Sequence, residues 1–303
     1  MAKIIGIGET IYSVTMKDGK PINGMPSGDV FNTMISLGRN GVNASLISEV
    51  ADDRLGKQIV EFMQANGVNT EYMYQYHEGR TPMSLAHLSA DGSADYDYYV
   101  LYPNTGRLDV VWPRIDKEDI LYFGSLYVLQ EEVHNVTMDL VNFADARKAL
   151  IVYTPDVHKL EPGQSVWLMP KIIDCLEKAN LIIMSTSDMK HLYKECDVDK
   201  VYKSNVRFYC PVFIAWQNDG IKLRTGSVVK DYPVPSYPAV KNMIGVKDAF
   251  NAGVLYELNA KGVTRDSIKQ LQETEWDQII ARASAFAVEV SASDDAFVAQ
   301  SAK

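Results

Sequence analysis

Asp248 stands three residues after Gly245, where an apolar-rich stretch able to run as a helix begins: Asn242-Met243-Ile244-Gly245-Val246-Lys247-Asp248-Ala249-Phe250-Asn251-Ala252-Gly253. A glycine turn before a helix start aims unsatisfied backbone N–H groups and the positive end of a helix dipole at one place, which suits a phosphate. A carboxylate at the mouth of that place could accept a proton from an attacking hydroxyl. The same residues, taken alone, also describe an ordinary loop with Asp248 as a helix N-cap. The five histidines, His77, His87, His134, His158 and His191, show no metal-ligand spacing. Gly6-Ile7-Gly8 followed by Glu9 lacks the third glycine and immediate helix of a dinucleotide fingerprint. No Gly-Lys-Ser/Thr run of the Walker type occurs. Tyr96, Tyr98, Tyr99 and Tyr102 read as lid packing or a dimer seam, or as a surface on which a sugar or base could stack.

The elements that must position these residues follow from periodicity. Residues 3–7 read as a buried strand ending in glycine, and short apolar runs at 44–48, 120–123, 150–153, 181–184 and 212–216 read as further strands. Helices are expected at 30–37, 55–65, 136–146, 170–178, 248–259 and 276–290, the second closed by Asn66-Gly67. Strand–helix alternation predicts a mostly parallel α/β sheet with helices on both faces. It breaks twice, at 12–24 with its Lys17-Asp18-Gly19 turn and at 83–101 with its Ala90-Asp91-Gly92-Ser93 turn. Both segments are expected in one small β-sheet lid beside the carboxyl ends of the strands, where ligands of open α/β sheets lie. The 303 residues carry a net charge of -9, which argues against a general nucleic-acid binder. Cys175, Cys196 and Cys210 form no CxxC pair, so neither a disulfide framework nor a zinc site is expected, and a reducing cytoplasm fits. No apolar stretch approaches a membrane span, and the start reads as a buried strand rather than a signal peptide.

This order of parts resembles the ribokinase-like (PfkB) family of sugar kinases, in its fructokinase-like branch. The segments that carry the likeness run in order along the chain: Gly6-Ile7-Gly8-Glu9, Ser27-Gly28-Asp29-Val30-Phe31-Asn32 to Leu37-Gly38, and Asp53-Arg54-Leu55-Gly56 with Gly67-Val68-Asn69. After them come 81–88 with its Asp91-Gly92 turn, Leu121-Tyr122-Phe123-Gly124-Ser125-Leu126, and the segment from Gly245 to Gly253. The resemblance implies one three-layer ribokinase-like domain over 1–303 that binds ATP with Mg2+ and holds a sugar under the lid. It implies Asp248 as base, with Gly245, Val246 and Lys247 as the anion hole. It further implies Ser13, Gly28, Asp29 and Asn32 near the sugar, Ser185 and Gln217 near the nucleotide, and Asp188 near the metal through water. A homodimer through the lid is one assembly compatible with it.

The chain departs from the family pattern in several places. Val246 and Lys247 replace a small residue and a glycine, so either the turn differs, or Lys247 puts an ammonium beside the phosphate, or its side chain points to solvent. Ser13 stands where the family has a substrate-binding aspartate. Thr154-Pro155-Asp156-Val157-His158 replaces Asp-Pro-Asn-x-Arg, Ser185-Thr186-Ser187-Asp188 replaces Asn-x-x-Glu, and Ala215-Trp216-Gln217 replaces Thr-x-Gly. An ATP-dependent kinase of a fructose-like or related sugar is expected. The alternative is a weakened kinase-fold protein that binds a sugar or nucleotide in a regulatory role.

Overall fold

A computed structural model of the chain describes residues 2–89, 92–157, 160, 163–217, 219–241 and 243–301. The Ala90-Asp91 half of one expected turn, His158 of the altered motif and Asn242 lie outside the described residues. The first half of the chain forms β1 (Ile4–Ile7), β2 (Ile11–Lys17), β3 (Lys20–Ser27), α1 (Asp29–Arg39), β4 (Ala44–Ala51), α2 (Arg54–Ala65), β5 (Val68–Asn69), β6 (Met73–Tyr76), β7 (Arg80–Leu88), β8 (Ala94–Leu101), β9 (Ile120–Gly124) and α3 (Glu131–Ala146). The second half forms β10 (Leu150–Thr154), α4 (Gln164–Lys178), β11 (Leu181–Ser185), α5 (Thr186–Tyr193), α6 (Val198–Ser204), β12 (Val212–Gln217), β13 (Gly220–Thr225), β14 (Val229–Tyr232), α7 (Val246–Ala260) and α8 (Glu273–Ser291).

The large sheet runs in the order β14-β13-β12-β11-β10-β9-β1-β4-β5, with β6 beside β4. Pairing is parallel from β12 to β5 and antiparallel only at β13 and β14. The inner strands β1, β9 and β10 are buried along their whole length, which is why they read as continuous apolar runs instead of alternating ones. Successive residues serve opposite cores. Ile4, Tyr122, Val152 and Ile214 pack with Phe31, Phe250, Leu255 and Trp276 from α1, α7 and α8. Ile5, Phe123, Ile151 and Phe213 pack with Val133, Ile172, Met189 and Val201 from α3, α4, α5 and α6. The result is a three-layer α/β fold.

The segments expected near 12–24 and 83–101 join in a separate sheet of order β3-β2-β7-β8. Asp53 ties that sheet to the body: it accepts from Gly56 N at 2.8 Å as the N-cap of α2, and from Thr81 N at 2.9 Å at the start of β7. Other expectations miss their bounds. α4 begins at Gln164, with Pro170 inside it rather than at its start. Pro170 is exposed, so water can satisfy the carbonyl that its missing N–H leaves unmet. The short helices α5 and α6 and the hairpin β13–β14 carry too few residues for periodicity to register. Among the described residues no helix is long and apolar enough to cross a membrane.

Candidate active site

Gly245 is the N-cap of α7 with left-handed backbone (φ 79). A Cβ there would lie 2.2 Å from the Ala296 carbonyl oxygen, so both the turn and its close neighbour require glycine. Asp248 is therefore the third helical residue and not the cap, which removes the ordinary N-cap account of its presence. It is 5% exposed. α1 holds it from the side: Asn32 Nδ2 donates to its Oδ2 at 2.8 Å, and Thr33 Oγ1 donates to its carbonyl at 3.1 Å. Burial, then the nearby Asp29 charge, pushes the Asp248 carboxyl up to about 8, although Lys247 and the Asn32 hydrogen bond pull the other way. A carboxyl so placed can exchange a proton near neutral pH.

Lys247 lies inside α7 with helical backbone, so position 247 does not need glycine. Asp156, just past β10, does have left-handed backbone (φ 45), and the Lys247 ammonium forms an ion pair with its carboxylate. Burial opposes the Lys247 charge, but Asp156, Asp29, Asp188 and Asp248 together outweigh it and push the group above the usual lysine range. Within the expected anion hole, the Val246 N–H donates to the Met243 carbonyl at 3.3 Å and closes the turn. That leaves the helix start to the N–H groups of Lys247 and Asp248, which have no partner one turn earlier within α7.

Two cavities meet at Asp156. One, of about 270 Å³, lies between the small sheet and the strand ends and is lined by Glu9, Asp29, Tyr98, Val100, Ser125, Leu126, Tyr127, Gln130 and Asp156. Glu9, Ser125 and Asp156 each follow the carboxyl end of a strand, β1, β9 and β10, where such sheets receive ligands. The other is a narrow cleft of about 10 Å³ bordered by Thr154, Asp156, Ser185, Asp188, Trp216, Lys247, Phe250 and Asn251. Asn251 is buried with its Oδ1 unmatched, while its amide donates to the Tyr122 hydroxyl at 3.2 Å. Burial, and to a lesser degree the Asp248 charge, holds that phenol up at about 12.

The remaining expected residues divide. Gly28 and Asp29 form the start of α1 beside Glu9 and the larger cavity. Asn32 is turned onto Asp248. Ser13 faces its sheet neighbour, accepting from Ser84 Oγ at 3.0 Å, and does not line either cavity. Ser185 and Asp188 form a capping box on α5, and the Asp188 carboxylate also accepts from Val157 N at 2.8 Å. Gln217 donates to the Cys196 carbonyl at 2.9 Å on an exposed stretch. Sequence reasoning gave Glu9, Thr33 and Tyr122 no site role, and named Glu9, Tyr122 and Asp156 only within motif segments. For Glu9 and Asp156 the strand-end position was an available signal; for Tyr122, in mid-strand, there was none.

A family profile described as pfkB family carbohydrate kinase matches residues 1–294. The chain belongs to that family. As a pfkB-family chain it is similar to a probable fructokinase-7 of Arabidopsis thaliana, 22% identical over 89% of this chain and 80% of the relative. In structure it is similar to the aminoimidazole riboside kinase of Salmonella enterica in complex with aminoimidazole riboside and an ATP analog (TM-score 0.82, 16% identity, 99% of this chain and 96% of the other). It is also similar to the fructokinase of Vibrio cholerae O395 in its fructose, ADP and calcium ion bound form (TM-score 0.80, 14% identity, 99% and 96%). At these identities the two structures speak for the fold.

Proposed function

We propose that this pfkB-family chain is an ATP-dependent sugar kinase whose acceptor is a fructose-like or related carbohydrate, with Asp248 as base. The observation that carries this is Asp248 itself, buried at a helix start behind a left-handed glycine and pushed up to about 8. Asp248 takes the proton of the acceptor hydroxyl; that oxygen forms a bond to the γ-phosphorus as the bond to the ADP oxygen breaks. The N–H groups of Lys247 and Asp248, with the α7 dipole, stabilise the charge on the phosphoryl oxygens. Asn32 orients the base. The cavity lined by Glu9, Asp29 and Asp156 receives the acceptor, and the small sheet serves as its lid on a single unit spanning 1–303. Ser13 acts on the acceptor only through the lid.

When bound with the nucleotide, a magnesium ion would supply neutralisation of the phosphate oxygens. Among the described residues no group of three or more His, Cys, Asp or Glu could cage it. Asp188 already accepts protein hydrogen bonds on both oxygens, which suits a role through water and not direct ligation. Free cysteines at 175, 196 and 210 support a reducing compartment, the cytoplasm. The exposed apolar side chains Ile22, Tyr99 and Leu101 support a homodimer through the lid.

The test is ADP release by the purified chain with Mg-ATP against a panel of ketohexoses, aldoses, pentoses and ribonucleosides. Acceptor-dependent ADP release supports the kinase. Its absence for every acceptor overturns it and favours the alternative, a chain that binds without efficient transfer. One observation favours that alternative: Trp216 packs edge-on to Phe250 at 4.6 Å beside a cleft of only about 10 Å³, on the side where Ser185 and Gln217 would meet the nucleotide.

A further inference from the structure

The larger cavity has a wall of one sign. Glu9 and Asp29 contribute carboxylates, as does Asp156, whose charge is paired with Lys247; Ser125 and Gln130 contribute neutral polar groups, and none of the described lining residues is cationic. Glu9 is held from two sides. Its backbone is covered by Gly28, whose missing Cβ would lie 2.2 Å from the Glu9 carbonyl oxygen. Its Oε1 accepts from the Tyr102 hydroxyl at 2.6 Å. Tyr102 in turn lies under the Arg107 guanidinium, 3.5 Å from ring centroid to Cζ, and edge-on to Tyr76. Arg107 is buried and pairs with Glu49 while donating to Gln130 at 3.1 Å. Burial and the neighbouring Glu9 charge keep the Tyr102 phenol well above its usual range, so it remains a donor. The Arg107 charge is spent on Glu49 and on the face of the ring, behind the cavity wall.

We propose that Glu9, oriented by Tyr102, is the specificity-determining residue of the acceptor cavity: it accepts a hydrogen bond from a hydroxyl or ammonium group of the acceptor and, with Asp29, excludes acceptors that carry phosphate or carboxylate. This rests on the assignment of that cavity to the acceptor. Glu9 thereby supplies the charge-assisted contact that Ser13, turned toward Ser84, does not. Tyr102 is a positioning residue. Like-charge juxtaposition in a partly enclosed cavity is what rejects an anionic acceptor.

The full chain, Glu9→Gln and Tyr102→Phe are assayed with Mg-ATP against D-fructose, D-glucose, D-ribose and D-glucosamine and against D-fructose 6-phosphate, D-ribose 5-phosphate and D-gluconate. Wild type is expected to use at least one of the first four with kcat/KM about a hundredfold above that for any of the anionic three. Glu9→Gln is expected to raise KM for that acceptor about tenfold or more, with kcat altered less, and to narrow the gap to the anionic compounds. Tyr102→Phe keeps the stacking on Arg107 and is expected to raise KM in the same direction by a smaller factor. A wild-type preference for a phosphorylated or carboxylated acceptor overturns the proposal, as does an unchanged KM in a folded Glu9→Gln. If no compound elicits ADP release, the kinase assignment fails separately, and calorimetric binding of the same compounds decides. Binding of neutral or amino sugars that Glu9→Gln weakens sustains the role of Glu9. Binding of the anionic compounds, or of none, overturns it.

Discussion

A buried aspartate with its proton affinity raised makes two separate predictions. Free-enzyme kcat/KM reports the ionisation of the base, so it should climb with pH and level off above about 8, the point to which Asp248 is pushed. A profile flat from pH 6 to 9 would remove Asp248 from that role. Asp248→Asn should cut turnover by about 10²- to 10⁴-fold while sugar binding is nearly kept. The same carboxyl also bears on stability. Its folded value lies above the ordinary 3.8, so its contribution is fully present below that value and is lost as pH rises towards about 8. The Asn variant has no such proton, so its melting temperature should gain on wild type as pH is raised from 4 to 8, with no further gain beyond. Lys247 separates a working kinase site from the weakened kinase-fold alternative. Because its backbone is helical, glycine there relieves nothing, and Lys247→Gly should lower the rate or leave it unchanged. Lys247→Met leaves Asp156, 4% exposed, without its cation, and should raise the nucleotide KM or lower kcat. An increased rate in Lys247→Gly would favour the weakened kinase-fold alternative.

At the scale of the element, the start of α7 is set by backbone conformation and by what lies behind it. Gly245→Ala meets both a left-handed backbone angle and the Ala296 carbonyl at 2.2 Å, so the turn must move. About 1–3 kcal/mol of stability should be lost to backbone strain alone. Turnover should fall further than stability, because the displaced turn carries the N–H groups of Lys247 and Asp248. Gly253 makes the second such contact, where a Cβ would lie 2.4 Å from the Ala283 Cα and wedge α7 from α8. Gly253→Ala should therefore lower both the urea midpoint and the melting temperature while its effect on kcat follows only the loss of folded protein. A variant as stable as wild type would show that the two helices have room to separate.

Across the whole molecule the site is assembled from distant parts of the chain. Asn32 and Asp248 are 216 residues apart, and the cavity wall adds strand ends from β1, β9 and β10 and side chains from β8. The small sheet reaches the cavity through Tyr98 and Val100 of its edge strand β8, which pairs with β7 and leaves its other edge and most of its side chains exposed. Such a strand exchanges its amide hydrogens readily. Binding of acceptor together with nucleotide should slow hydrogen exchange over 94–101 more than over β1 or β10, which are buried throughout. Equal protection everywhere would mean that the small sheet does not close over the site.

What the amino-acid sequence determined by itself was whatever short-range physics writes locally. Continuous apolar runs marked β1, β9, β10 and β11 because strands buried on both faces have no polar side to show. Gly245 ahead of an apolar helical stretch marked the α7 start, and Asp248 with it, because a left-handed turn admits few other residues. Ordered motifs over most of the length carried the family resemblance, which the match over residues 1–294 bears out. Tertiary structure alone decided which partners those side chains meet. Asn32 turns to Asp248, Ser13 to Ser84, and Lys247 to Asp156. Asp188 closes a capping box, and Glu9 enters the cavity under Tyr102. Except for the Asp188 capping box, these contacts join residues 71 to 216 positions apart, so no local pattern encodes them. Their directions are set by how α1, α7 and the small sheet pack on the strand ends, and that packing is a property of the folded chain as a whole.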